Sequence, residues 1–419
     1  MTVYMVRGEG HPPEQIVPTW RLIPKRWGHS FHSMCSYLAM FPPGMPRYFI
    51  EQFTNEGDVV LDPFSGRGTA PLEACNSGRI GIGTDLNPLA YLLTSAKLNA
   101  PSLEEVINRI EQLKIMYVRP DISDVPEQIT MLFHEETTLP QLVFIKNMFA
   151  NWKNDISDVD RFILAALMGI MHGKHKKNGE TSYLSISMPN TFSMSPNYVK
   201  NYIQKHGLSK PKVDVFDQLI TKVRRLYKNN IPVNQGDAYL ANARTFSQIN
   251  NEYISEQRIK MVFTSPPYLQ VVNYGTFNWI RLWVLGEDIK LIDKNLKLDD
   301  KHTLSGYVDF MGEIINQCES VLEDSGVACF VIGDVAKPGK EPLKLAQHVW
   351  EELRDRTNMN LLGIVEDHLP DSDKVTRIWG KTQGKATKID RILILYKGDT
   401  RPEFNFDPFQ GEVINRFTI

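Results

Sequence analysis

The chain is predicted to adopt an α/β fold, a doubly wound and mostly parallel sheet interrupted by an inserted, mainly helical segment. Two apolar strands enclose a glycine-rich turn and a helix over residues 57–85, which is the pattern of a strand–helix–strand unit. Residues from 231 onward return to alternating strands and helices, whereas 101–230 carry apolar side chains at helical spacing. We therefore expect a sheet domain built from 1–100 and 231–419, with a helical insertion at 101–230.

The composition of the 419 residues is typical of a soluble globular protein, with 42% apolar and 23% charged residues. No apolar run is long enough to span a bilayer, and the N-terminus lacks a signal-peptide core. The four cysteines, at 35, 75, 318 and 329, show neither paired spacing nor histidine partners at metal spacing. We expect a cytoplasmic protein without a membrane partner or a metal site.

The first strand leads directly into a glycine-rich turn. Residues 57–62 are its apolar run, and a helix follows from about 70 to 78. Glycines in such a turn let the backbone approach a ligand, and the N–H groups of the helix behind it are free. The next strand, 80–84, ends in an acid placed to accept from ribose hydroxyls. The sequence predicts a nucleoside-cofactor site with the candidate residues Asp62, Phe64, Gly66, Gly68, Thr69 and Asp85.

A second motif closes the apolar run 259–263 and reads Thr264-Ser265-Pro266-Pro267-Tyr268. Prolines cannot continue a strand ladder, so the backbone is held open at the carboxyl end of the strand, where parallel sheets bind ligands. The motif offers an aromatic face, a hydroxyl and main-chain carbonyls, which suit a planar base with an exocyclic amine. We predict catalytic roles for Ser265, Pro266, Pro267 and Tyr268.

Both motifs, in this order, resemble those of the amino-methyltransferases of DNA. The resemblance implies the Rossmann-like class I methyltransferase fold, S-adenosylmethionine as cofactor, and methyl transfer to the exocyclic amine of a flipped-out base in double-stranded DNA. It implies that Thr264 borders the cofactor, and that residues 41–50 form a cofactor-binding segment that includes Pro43. Residues 307–334, with a turn at 321–326, and 389–398 resemble later core elements. A Gly-Asp turn at 234–238 predicts that Asp237 accepts from the adenine amino group.

Serine at position 265 is typical of N4-cytosine enzymes, whereas Asp or Asn there is more typical of N6-adenine enzymes. N4-cytosine methylation is therefore the first interpretation. The alternatives are an N6-adenine DNA methyltransferase, an RNA base methyltransferase and a non-catalytic nucleic-acid-binding scaffold. Cytosine C5 chemistry is excluded, because it needs a Pro-Cys nucleophile and no cysteine follows a proline.

Two basic runs are candidates for contact with DNA phosphates. Residues 174–212 carry seven lysines against one acid, Glu180, with aromatic residues between them. Residues 374–391, including Arg391, form the second run. The candidate DNA-binding residues are Lys174, Lys176, Lys177, Asn273, Tyr274, Lys381 and Lys385, whereas Phe277, Trp279, Leu282 and Trp283 are expected to pack as a core helix. The insertion lies after Asp85, and it is either the target-recognition region or a structural cap. A companion restriction endonuclease or defence-system subunit is a candidate partner.

Overall fold

The computed structural model describes residues 3–6, 28–37, 41–190, 193–267, 274–300, 303–335, 341–368 and 389–404. Its strands are β1 Val3–Val6, β2 Val59–Asp62, β3 Ile80–Asp85, β4 Asp237–Leu240, β5 Ile259–Thr264, β6 Leu322–Gly333, β7 Asn360–His368 and β8 Ile389–Tyr396. The helices are α1 Gly44–Phe53, α2 Thr69–Asn76, α3 Pro88–Leu98, α4 Leu103–Met116, α5 Glu127–Thr130, α6 Thr138–Met148, α7 Asp158–Met168, α8 Pro196–His206, α9 Val215–Leu226, α10 Glu252–Ser255, α11 Tyr274–Val284, α12 Ile289–Asp300, α13 Leu304–Val321 and α14 Leu345–Leu353. None of the described helices is both long and apolar enough to cross a membrane.

The eight strands form one sheet in the order β1-β7-β8-β6-β5-β2-β3-β4. Its neighbouring strands are parallel except at β8, which runs antiparallel to both β6 and β7. The chain moves from β2 outward to β3 and β4, then crosses back to β5 on the other side of β2. This reversal opens a crevice at the carboxyl ends of β2 and β5, where α/β sheets bind ligands. The predicted fold class is confirmed.

Successive residues of the central strands face opposite layers, as a strand's period of two requires. Val60 and Met261 pack into the apolar cluster under α1 and α2. Leu61 and Val262 pack into the cluster with α13 and α14 on the other face. Because helices cover both faces of these central strands, a ligand is expected at the crevice formed by their carboxyl ends.

The segment 101–230 contains helices α4 to α9, in agreement with its helical periodicity. Helix α4 begins with a capping box, in which Ser102 and Glu105 each satisfy the other's backbone N–H. The buried side chains of the segment share one core with Leu72 of α2 and Leu89 of α3. The segment is therefore packed directly onto the helices that flank the glycine turn, and its boundaries as a domain stay a prediction.

Four strands differ from the sequence-based expectation. Strand β6 begins at Leu322, although a turn is predicted there, and its residue Ser325 has a φ of +64°. Strand β4 begins at Asp237, where a Gly-Asp turn is predicted. Strands β1 and β7, which pair with each other, are not predicted from the sequence. Sheet pairing stabilises all four segments, which a local sequence window does not reveal.

Candidate active site

Two buried polar side chains join the carboxyl ends of β2 and β5. Thr264 Oγ1 donates to Asp62 Oδ1 over 2.6 Å, and the same oxygen accepts from the Phe64 backbone N–H over 3.1 Å. Burial raises the pKa of the Asp62 carboxyl to about 7. This hydrogen bond fixes the points at which the two motif loops leave the sheet. Asp62 and Thr264 are both buried, so they support the site and do not line its surface.

The glycine turn has the left-handed backbone that its sequence predicts. Gly66 and Gly68 have φ values of +52° and +74°. A Cβ on Gly68 would lie 2.8 Å from Thr94 Oγ1 and 3.0 Å from Thr94 Cα, so only glycine fits beside α3. Thr69 begins helix α2, and the Phe64 ring packs edge-to-face on Phe310, with centroids 5.9 Å apart. Phe64 therefore helps to hold the turn against the α13 layer.

Helix α3 holds the turn from the protein side through two side chains that the sequence analysis missed. Thr94 Oγ1 donates to Gly66 O over 3.3 Å, and the Lys97 ammonium donates to Arg67 O. Lys97 is fully buried, and this burial lowers its pKa well below the ordinary value. The Gly66 carbonyl points toward α3. The Arg67 N–H belongs to the same trans peptide, so it points in the opposite direction, away from α3. Both side chains lie inside an ordinary helix, which gave no sequence signal for this role.

Asp85 ends β3 with each carboxylate oxygen held by a backbone N–H. Oδ2 accepts from Gly66 N over 2.9 Å, and Oδ1 accepts from Asn87 N over 2.8 Å. Burial raises the pKa of Asp85 to about 6. Each oxygen retains a further lone pair for a hydroxyl donor, so the geometry fits the predicted contact with a ribose.

Tyr37 is a second residue of this region that no motif singled out. Its hydroxyl accepts from Asn87 Nδ2 over 2.9 Å. A Cβ on Gly66 would lie 3.4 Å from a carbon of its ring, so the ring covers the turn at Gly66. An aromatic side chain next to the Asp85 loop adds a hydrophobic wall to the candidate cofactor site.

Pro43 precedes helix α1, and the chain there approaches the end of β5. Phe41 packs edge-to-face on Phe263, with centroids 5.3 Å apart, and Phe263 immediately precedes Thr264. The segment that contains Pro43 is thus carried to the catalytic-motif end of the sheet. The role of Pro43 at the cofactor stays a prediction.

The structure does not bring Asp237 to this edge. It is the first residue of β4 and pairs with Ile82, whereas Leu240 pairs with Asp85. The Asp237 carboxylate accepts from Asn251 Nδ2 over 3.1 Å. Three strand residues span roughly 10 Å, so Leu240, which is 41% exposed, is better placed than Asp237 to border an adenine ring beside Asp85. Sequence reasoning missed Leu240 because it predicted a turn where β4 begins.

The catalytic motif continues from β5 with its hydroxyl directed to the neighbouring strand. Ser265 Oγ donates to Val331 O of β6 over 3.2 Å, and its oxygen keeps lone pairs that can accept. Pro266 is buried and Pro267 is half-buried. Tyr268 lies outside the described residues, as do Asn273, Lys381 and Lys385.

A buried ion cluster stands at the end of β6, beside the motif. Arg391 of β8 donates to both carboxylate oxygens of Asp334, over 2.7 and 3.0 Å, and also to Glu366 of β7. The prediction that Arg391 belongs to a DNA-facing run is wrong, because two carboxylates inside the protein bind its guanidinium. Within the described ranges, no group of three or more His, Cys, Asp or Glu side chains is arranged to hold a metal ion.

The lysines of the first basic run differ in how free their charges are. Lys174 and Lys177 are exposed and have no ion pair within the described part of the chain. Lys176 pairs with Glu180 over 2.8 Å. Lys200 pairs with Glu127, and Lys210 pairs with Glu135. The run is therefore less basic than its local composition predicts, because the last two acids are 73 and 75 positions away in the chain.

Helix α11, which Tyr274 begins, anchors the chain after the catalytic motif into the helical segment. Trp279 Nε1 donates to Met194 O over 2.7 Å, and Ser193 N donates to Phe277 O over 2.7 Å. The predicted core positions are confirmed for Trp279 and Leu282, which are each 1% exposed. Phe277 and Trp283 are half-buried.

Comparison with known proteins gives one family match and several relatives. Residues 11–95 and 259–399 match the N6/N4 methyltransferase family, described as DNA methylase. The Type II methyltransferase M.MvaI of Kocuria varians is 27% identical over 306 residues, which cover 68% of this chain and 63% of that protein. The Type II methyltransferase M.BsoBI of Geobacillus stearothermophilus is 24% identical over 284 residues, which cover 63% of this chain and 54% of that protein. The chain thus spans less than two thirds of the length of these two relatives.

Among solved structures, TrmN from Thermus thermophilus aligns with a TM-score of 0.32 and 10% identity, over 88% of this chain and 52% of that one. A likeness this distant says nothing about function. The family match is more informative, because it takes in the glycine turn, Asp85 and the motif at 264–268, and leaves out the segment 101–230. The cofactor of this family is S-adenosylmethionine. Since the match covers more than half of the chain, this chain belongs to the N6/N4 DNA methylase family.

Proposed function

We propose that this protein is a site-specific DNA methyltransferase that moves a methyl group from S-adenosylmethionine to N4 of a flipped-out cytosine. One observation carries the proposal. The glycine turn and the Ser-Pro-Pro motif leave the sheet from neighbouring strands that the 2.6 Å bond between Thr264 and Asp62 joins. The cofactor site and the base-gripping motif therefore face the same crevice. The Type II methyltransferase names of the relatives also support the proposal.

The residues around the crevice fit an adenosyl cofactor. Asp85 retains acceptor capacity for ribose hydroxyls, and the Gly66 peptide presents no side chain toward the ligand. Tyr37 and Leu240 supply apolar surface on either side of Asp85. When bound, S-adenosylmethionine supplies an already activated methyl group, so the protein's own residues have to bind and orient the two reactants.

Ser265 would act on the base amine as an acceptor. An exocyclic amine is a weak nucleophile, because its lone pair is delocalised into the ring. The Ser265 hydroxyl donates its hydrogen to Val331 O, and a hydroxyl oxygen has two lone pairs, one of which would accept an N–H from the amine. The main-chain carbonyls next to Pro266 and Pro267 are further acceptors for the amine. Proline has no backbone N–H, so these two residues do not donate to them. The amine is held with its lone pair toward the methyl group, and its proton passes to water.

The choice of N4 of cytosine rests on the serine itself. An Asp or Asn at this place would point to adenine N6, which is the alternative for the same site.

The segment 101–230 is proposed as the DNA-recognition region, because the family match leaves it out. Double-stranded DNA is the proposed partner, and a restriction endonuclease of the same site specificity is a proposed companion, in line with the Type II names of the relatives.

Calorimetry with S-adenosylmethionine tests the enzymatic proposal against the scaffold alternative. The wild-type protein should bind the cofactor, and the absence of measurable affinity would contradict the proposal. Tyr268→Ala should lose most methyl transfer to DNA while cofactor affinity survives, since the proposed role of Tyr268 is to stack on the flipped base. Tyr268→Phe is the matched control, because it keeps the ring and should keep most activity. Loss of cofactor binding in Tyr268→Ala would rule out a pure stacking role.

A further inference from the structure

Helix α8 is exposed along almost its whole length. Among its eleven residues, Val199 is buried, and Pro196, Tyr202 and Ile203 are half-buried. The side chains of Asn201, Gln204 and Lys205 are exposed and make no hydrogen bond or ion pair with another described residue. The other seven residues of the helix are exposed, so more than half of its positions are open to a partner.

The uncovered face has the chemistry of a nucleic-acid-binding surface. The helix contains no acid, and of its two lysines Lys200 pairs with Glu127 whereas Lys205 has no described ion pair, so Lys205 offers the positive charge that complements a DNA backbone. The exposed Tyr198 ring stacks on Tyr202 at 6.1 Å, and Tyr202 contacts the His206 ring at 4.4 Å. Asn201 and Gln204 present amides that match the donor and acceptor pair on the major-groove edge of adenine.

The base of the helix is joined to the chain that leaves the catalytic motif. Ser193 and Met194, which lead into α8, hydrogen bond with Phe277 and Trp279 of helix α11. Helix α11 begins seven residues after Pro267, and seven residues span at most about 25 Å. This length is below one turn of DNA, which is about 34 Å. The base of α8 is therefore bonded to a helix whose first residue lies within one DNA turn of Pro267.

We infer that α8 enters the major groove of the substrate duplex and that Asn201 and Gln204 read base edges there, while Lys205 contacts a phosphate. This inference rests on the proposed DNA methyltransferase function and names the element that determines sequence specificity. The major groove, about 12 Å wide, admits a single helix. The stacked rings of Tyr198 and Tyr202 stiffen the exposed face and line the groove wall.

The test compares the recognition motif of the wild-type protein with that of single-residue variants. Unmethylated plasmid DNA is treated with each protein and S-adenosylmethionine, and modified bases are located by single-molecule sequencing. Asn201→Ala and Gln204→Ala should each relax the motif at one base pair, with discrimination there falling roughly 10-fold or more. Lys205→Ala should keep the motif, weaken binding to a duplex of randomised sequence, and lower the salt slope by about 1.

Asn316→Ala is the matched control, because Asn316 is an exposed amide near the end of α13, which leads into the amino end of β6 and not into its carboxyl end. It should leave motif and binding unchanged. An unchanged motif in both α8 amide variants would overturn the inference while the methyltransferase function stands. Absence of methylation by the wild-type protein would overturn the proposed function itself. A preference of the wild-type protein for duplex RNA over duplex DNA would overturn the major-groove assignment, because the RNA major groove is too deep and narrow to read.

Discussion

The carboxyl edge of the sheet and helix α8 differ in how their polar groups are used. At the edge, Asp62, Asp85 and Lys97 are hydrogen bonded within the protein, and each is buried enough for its pKa to shift. On α8, Asn201 and Lys205 are exposed and have no described partner. The edge is thus preorganised before any ligand binds, whereas α8 gains partners only in a complex. Substitutions at the edge should cost stability or cofactor binding, and substitutions of the exposed α8 side chains should change the affinity for DNA or the choice of DNA sequence.

The largest expected effect is at the ion cluster beside the motif. Arg391→Met would remove the guanidinium that pairs with both buried carboxylates, Asp334 and Glu366, which should lower the free energy of unfolding by about 3 to 5 kcal/mol. Arg356→Met is the control, since Arg356 and Asp309 pair over 3.0 Å with side chains 53% and 58% exposed. That variant should lose at most about 1 kcal/mol. Chemical denaturation measures both, and equal losses would contradict the contrast between buried and exposed charges.

The next effect compares two left-handed glycines, one in each region. Gly68→Ala adds a Cβ against Thr94 at a φ of +74°, which should cost about 2 to 5 kcal/mol and abolish cofactor binding. Gly207→Ala caps α8 at a φ of +57° with nothing within 4 Å, so it should cost only about 1 to 2 kcal/mol. Calorimetry with S-adenosylmethionine separates the two variants. Full cofactor binding by Gly68→Ala would show that the turn is not part of the cofactor site.

A pH dependence should distinguish the buried edge from the rest of the chain. The folded state raises the pKa of Asp62 to about 7, whereas an unfolded chain has about 4, so the folded state holds the proton more tightly. The contribution of Asp62 to stability is therefore present below about pH 4 and is lost as the pH rises to about 7. Asp62→Asn removes the titration and should flatten this slope in denaturant unfolding of the cofactor-free protein. If the stability of Asp62→Asn changed with pH as steeply as that of the wild-type protein, a group other than Asp62 would be responsible for the pH dependence.

The smallest expected effect is on the link between the two regions. Trp279→Phe removes the bond to Met194 O, which should cost about 1 kcal/mol and lower methyl transfer to DNA several-fold without changing cofactor affinity. Trp283→Phe is the control, because Trp283 is half-buried and the described bond at this residue, from Lys146, uses its backbone carbonyl. A change in the cofactor affinity of Trp279→Phe would mean that α11 affects the cofactor site at the carboxyl edge of the sheet, and not only the position of α8.

The sequence predicts the parts of the site that are local in the chain. Gly66, Gly68, Asp85 and Ser265 lie in short motifs whose backbone demands are visible in the residues themselves. Thr94, Lys97 and Tyr37 reach the turn from other segments, and only the folded chain shows this. The same limit explains Arg391, whose partners come from β6 and β7.

Sheet register explains the remaining differences. The sequence of 234–238 resembles a turn, but pairing with β3 places Asp237 beside Ile82 and Leu240 beside Asp85. A shift of three residues moves the candidate adenine contact from an acid to an apolar side chain. The fold class is less sensitive to such shifts, because it depends on the order of strands and helices, and that order is visible in apolar periodicity.

The most direct test of the central claim is the identity of the modified base. Unmodified duplex DNA is incubated with the protein and S-adenosylmethionine that carries a labelled methyl group, then digested and resolved by nucleoside mass analysis. We expect labelled N4-methylcytosine. Labelled N6-methyladenine in its place would contradict the assignment based on Ser265, and label in RNA but not in DNA would contradict the substrate class.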